Sequence, residues 1–213
     1  MCFSAEASFT VGTILSVVGI TTLKQVKKQK YFLVALFPLF FASQQLIEGI
    51  VWLNMHPSFV STPLSQAAVN LYLFFAWLFW PIFVPIAFFV AEKEKWKKIL
   101  FLTVFLIGLI ISYIDIIYLI NYRITPQIVG RSLDYGFTPL YGNILYGLIV
   151  FIPIFLSSVP RMKIFGISLL IAFIISQLIY TYAFTSVWCF FCAAISIQLY
   201  QILQRASQEK KVS

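Results

Sequence analysis

Glu48 lies in the stretch "ASQQLIEGIVW", residues 42–52, inside an otherwise apolar run. Gln44, Gln45, Glu48 and Trp52 are spaced i, i+1, i+4 and i+8, so a helix carries them on one face. A carboxyl group placed there can hold a proton, accept hydrogen bonds or bind a cation. Facing lipid it costs roughly 2.5–3.5 kcal/mol on insertion scales, so it is expected to face the interior of a helix bundle. The alternative is a hydrogen-bonded cluster that only packs helices together. Asp115 repeats the pattern in "LIISYIDIIYLI", with Ser112 three residues before it and Tyr118 three after. No Lys or Arg lies within either apolar run. Both acids can therefore be stabilised by protonation, by hydrogen bonds, by each other or by a bound cation.

The other reactive side chains are the cysteines. Cys189 and Cys192 stand in "SVWCFFCAA", and Cys2 is the third. A C-x-x-C at a helix start suits a redox pair, because a helix N-terminus favours the thiolate. Cysteine is also one of the most buried residue types, so the pair equally fits plain packing. A Cys2–Cys189 disulfide on an oxidising side is a further option. The single histidine, His56, sits in "NMHPSF". Zinc hydrolases typically spend two or three histidines on the metal. No metal site is assigned, and the sequence identifies no cofactor.

The elements that must position these residues follow from composition. The chain is 61% hydrophobic and 10% charged, with a mean hydropathy of +0.94. A soluble domain is roughly 45–50% apolar and about 25% charged. The excess must face lipid. Seven stretches are apolar enough to cross a bilayer, near 3–23, 31–53, 67–91, 99–121, 140–159, 164–183 and 186–204. The fold class expected is all-α: a polytopic membrane protein forming one bundle of seven transmembrane helices over 1–213. No cleavable signal peptide is evident, so the first helix is expected to act as its own insertion signal. Only Tyr122–Pro139, "YRITPQIVGRSLDYGFTP", is longer than a simple turn among the connections.

With alternating spans, all but Arg123 and Arg131 of the 15 Lys and Arg residues fall on one side. The positive-inside rule makes that side cytoplasmic, with the N-terminus outside and the C-terminus inside. The net charge of +8 is thus a topology signal and an attraction to anionic headgroups, with no nucleic-acid partner implied. Glu48 then lies about 9 Å below the outer end of the second span, at 1.5 Å per residue. Asp115 falls at a similar depth, and all three cysteines fall in the outer half. One shared outer pocket is expected, formed by Glu48, Gln44, Gln45, Trp52, Asp115, Tyr118, Cys2, Glu6, Trp188 and Cys189.

Other features read as structure. Ser4, Ser8, Gly12, Ser16 and Gly19 form a small-residue stripe suited to close helix packing. Pro81 and Pro85 should kink the third helix, Pro38 the second and Pro153 the fifth. Trp77 and Trp80 are candidate pocket walls. "QLI" at 45–47 recurs at 177–179, a weak sign of parallel repeats.

"VWCFFCA" resembles the C-x-x-C of the vitamin K epoxide reductase family, which implies thiol redox chemistry; that family adds a pair of loop cysteines, and here only Cys2 remains. The seven-span layout is similar to alkaline ceramidases in architecture alone. "MCFSAEASF", "QQLIEGIVW" and "VWCFFCA" together resemble an uncharacterised bacterial family of seven-helix membrane proteins that begin MCFSA. That resemblance implies a multi-pass protein of the bacterial inner membrane, with Cys2, Glu48, Trp52, Trp188 and Cys189 in the family pattern. Two functions follow as expectations. One is a binding or transport protein whose outer pocket takes a small polar, cationic or lipid ligand. The other is a membrane-embedded enzyme, either a thiol oxidoreductase or a lipid hydrolase. Few polar residues lie in the inner halves of the second to fourth spans, chiefly Thr103, which favours a one-sided pocket over a through-path.

Overall fold

In a computed structural model, residues 4–55, 63–136 and 142–208 are described. Seven helices follow one another: α1 (Ala5–Gln25), α2 (Gln29–Asn54), α3 (Leu64–Ala91), α4 (Lys95–Asn121), α5 (Gly142–Leu156), α6 (Met162–Ile179) and α7 (Thr181–Ser207). All but α5 are long and apolar enough to cross a membrane. Basic connections mark one end of the bundle, here the lysine-rich end. The connection after α4 marks the other, here the hairpin end.

Helix α1 shows how hydroxyl-bearing spans stay dry. Ser4 caps it, its side chain accepting the Ala7 N–H at 3.2 Å. Thr13, Ser16, Thr21 and Thr22 donate back to carbonyls of the preceding turn, which satisfies these four hydroxyls without water. The stripe then packs. A Cβ on Gly12 would come within 2.8 Å of Leu46, and one on Gly19 within 2.5 Å of Leu39.

The prolines act where the missing N–H and the ring clash fall. Helix α2 is interrupted at Leu36 and resumes at Phe37, just before Pro38. Helix α3 widens into a π-turn over Phe74–Phe79, directly ahead of Trp80–Pro81, which relieves the clash of Pro81 with the Trp77 carbonyl. Pro85 and Pro153 sit inside uninterrupted helix instead.

Helices α2, α3 and α7 form the core, with 61, 56 and 56% of their apolar windows buried, against 28% for α1 and 33% for α4 and α6. Exposed isoleucines and leucines on α1, α4 and α6 make the surface a bilayer requires. At the hairpin end, Gln127–Val129 (β1) pairs antiparallel with Ser132–Asp134 (β2). Gly130, at φ +62°, opens the turn between them. Hydropathy leaves this segment as a loop because three-residue strands carry no readable period. Leu133 is buried and β2 packs on α7, so the hairpin covers that end of the bundle.

At the lysine-rich end, Glu92 joins two connections. Its carboxylate accepts N–H groups from Lys93 at 2.7 Å, Glu94 at 3.2 Å and Ser158 at 2.8 Å. Burial raises its pKa, but the N–H donors outweigh burial and hold it below the usual glutamate value.

Candidate functional site

Gln44, Gln45 and Glu48 are completely buried on the inward face of α2. Two other helices close over them. Ser186 of α7 donates its hydroxyl to Glu48 Oε1 at 2.6 Å. Gln45 donates its amide to Glu48 Oε2 at 3.2 Å. The Tyr72 hydroxyl of α3 also hydrogen-bonds the Glu48 carboxyl group and reaches the Cys189 thiol. Trp80 Nε1 donates to Gln44 Oε1 at 2.9 Å, fixing that side chain beside Cys189. The donors to Glu48 are all neutral. Two polar atoms of the cluster, the Gln45 Oε1 acceptor and the Gln44 Nε2 donor, are buried without an N or O partner among the described residues. A buried acceptor in that state costs about 1–3 kcal/mol, so a natural cluster keeps it for a reason.

Two cavities touch neighbours of the cluster, one Thr185 and the other Trp80 and Cys189. Toward the hairpin end lies a polar one of about 260 Å³, whose lining includes Asp134, Tyr135, Asn143, Thr181 and Thr185. Thr185 is the neighbour of Ser186, and Tyr135 stacks on Tyr72 at 4.8 Å between ring centroids. One to two turns deeper, beside Cys189 and Cys192, lies an apolar cavity of about 20 Å³ walled by Phe37, Phe41, Trp80 and Trp188. That volume holds about one water molecule. Its lining also includes the apolar Ile154, Phe165 and Leu169.

The expected pocket residues divide. Glu48, Gln44, Gln45 and Cys189 come together. Trp188 is buried next to Cys189 and packs edge-on against Phe151 and Phe173. Trp52 is half-buried, its Nε1 without a partner among the described residues. Asp115 is buried on α4, which packs on α3 and α5. Its neighbour Ser112 donates to the Leu78 carbonyl at 3.0 Å. The hydrogen bonds described for Glu48 come from α2, α3 and α7. Tyr118 stacks on Tyr122 near the surface, and Glu6 is exposed in the first turn of α1. Cys2 and His56 lie outside the described residues. Cys189 and Cys192 are free thiols. Among the described residues no three His, Cys, Asp or Glu side chains converge as a metal site would require.

Ser186, Tyr72 and Thr185 were not singled out from the sequence. The signal for Ser186 was its place one helical turn before Cys189, on the same face of α7.

No curated protein and no solved structure matches the chain. A family model matches residues 1–213, end to end, and the chain belongs to that family of unknown function, DUF6629.

Proposed function

We propose that this membrane protein binds a small cation at Glu48, in a one-sided pocket entered from the hairpin end. The observation that carries the reading is a fully buried carboxyl group whose described hydrogen-bond donors, Ser186, Gln45 and Tyr72, are all neutral. A charge at that depth needs a compensating charge, and among the described residues no Lys or Arg side chain pairs with it, so a cation from outside fits the gap. The Gln45 Oε1 acceptor, unused within the protein, is a second oxygen for the same ion. Space limits the ligand. A cavity of about 20 Å³ beside the cluster suits a water-sized species such as a monovalent metal ion, ammonium or a transferred proton, and not a lipid. The polar cavity above, carrying Asp134, is the route in. The apolar lining of the smaller cavity supports binding over passage through the bundle. The excess of Lys and Arg at the opposite end supports an outward-facing entrance.

A thiol oxidoreductase built on Cys189 and Cys192 is the second reading, and it draws on the contact between Cys189 and Tyr72. Both thiols are buried among aromatic side chains, without a basic residue in the cavity lining among the described residues, which favours the cation reading.

The test is thermal unfolding in detergent with sodium, potassium or ammonium chloride, against choline chloride at equal ionic strength. At a hundredfold excess over Kd, a bound ion stabilises by about 2.7 kcal/mol. One of the small cations should raise the melting temperature of the natural protein and not of Glu48→Gln. Equal behaviour of both proteins with every salt would refute the assignment.

A further inference from the structure

We propose a second, separate site: an anionic phospholipid headgroup site between α6 and α7 at the lysine-rich end. A cavity of about 300 Å³ there is lined by Arg161, Ile164, Gln198, Gln201, Ile202 and Arg205. It offers two guanidinium groups and the Gln201 amide, a donor set that can grip a phosphodiester, while the Gln198 amide is paired with Ser168.

Three observations set these arginines apart from a generic basic surface. First, neither Arg161 nor Arg205 makes an ion pair among the described residues; the pair found there is Lys97 with Glu94. The acids nearest the α5–α6 connection are already engaged, Glu92 by three backbone N–H groups and Glu94 by Lys97 and the Ser158 hydroxyl. Second, Arg161 is the one non-glycine residue with positive φ among the described residues, at φ 62° and ψ 6°. A glycine would take that conformation without strain, so an arginine kept there points to a use for its side chain. Third, the cavity is continuous with lipid-facing surface. Ile164, at its rim, begins an exposed ridge that runs down α6 through Ile167, Ile171 and Ile174 at helical spacing.

That ridge decides between sources of phosphate. A soluble phosphate needs the arginines alone, whereas a phospholipid uses both features, its headgroup on Arg161 and Arg205 and an acyl chain along the isoleucines. Basic pockets between helices at the cytoplasmic interface are where anionic lipids are held. The site shares no residue with the Glu48 cluster.

The experiment is native mass spectrometry of the purified protein with dioleoyl phosphatidylglycerol or dioleoyl phosphatidylcholine, with sodium phosphate as a further arm. Unfolding in lipid-free detergent is measured in parallel. The natural protein should retain phosphatidylglycerol about tenfold better than phosphatidylcholine. Arg161→Gly and Arg205→Gln together should reduce that preference to twofold or less. Arg161→Gly alone should melt at the same temperature or higher, because it keeps the backbone conformation and removes its strain, so lost retention would not reflect misfolding. Undiminished preference in the double variant would overturn the site. So would equal retention of the two lipids, or sodium phosphate stabilising as well as phosphatidylglycerol.

Discussion

Replacing Gly108 by alanine tests the helix arrangement that frames the site. A Cβ at that position would lie 2.2 Å from the Pro81 carbonyl oxygen, where ordinary contact begins at 3.4 Å. The obstacle is backbone, so no rotamer change relieves it, and α4 must retreat from α3 by about 1.2 Å, the difference of those two distances. Inserting a methyl group into packed surroundings costs about 1–3 kcal/mol. One turn further on, the same retreat stretches the 3.0 Å bond from Ser112 to the Leu78 carbonyl, an interaction worth about 0.6 kcal/mol on average inside a membrane. Alanine's better helix propensity returns up to about 1 kcal/mol. The net expectation is a loss of about 1–3 kcal/mol, read as a lowered melting temperature in detergent. Gly108→Ala with unchanged stability would refute the contact between α3 and α4.

Other consequences follow from the same geometry. Ser186→Ala removes the 2.6 Å donor to Glu48 and should cost about 1–3 kcal/mol in detergent, whereas the same change at exposed Thr103 should be nearly neutral. The folded-state pKa of Glu92 is depressed, so the stability it contributes is complete above the ordinary value of 4.5 and is lost as pH falls through the lower folded value. Glu92→Gln should therefore flatten that acid limb of a stability–pH curve. A thiol introduced at Arg131, in the hairpin turn, should react with an impermeant reagent added outside intact cells, and one at Gln29 should not; the reverse pattern would invert the proposed orientation.

How much of this was legible in the sequence differs by level. Helices announce themselves because a span must be apolar along its whole length, so hydropathy alone separates the seven helices, of which six are long enough to cross a membrane. Pro81 signals a local distortion, although whether a proline yields a π-turn, as here, or an unbroken helix, as at Pro153, depends on packing. Within the site, Gln45 and Glu48 were readable as partners because they sit three apart on one helix. Ser186 was not. It meets Glu48 across 138 residues, and serine is too common in apolar helices to mark such a contact by itself. Depth along a helix, as for Asp115, follows from residue count, whereas the helix beside which a residue stands depends on the order of packing around the bundle. Glu6, also expected in the pocket, is exposed on α1, whose Gly12 and Gly19 dock against Leu46 and Leu39 of α2.

Infrared difference spectroscopy of the carboxyl band tests the cation assignment most directly, recorded on the purified protein as sodium, potassium or ammonium is exchanged for choline. A cation seated at Glu48 changes the charge and hydrogen bonding of a group held by Ser186, Gln45 and Tyr72, so the natural protein should give a saturable carboxyl difference band. That band should vanish in Glu48→Gln and shift in Ser186→Ala. A difference spectrum unchanged by Glu48→Gln, or no carboxyl band with any of the three ions, would contradict the assignment.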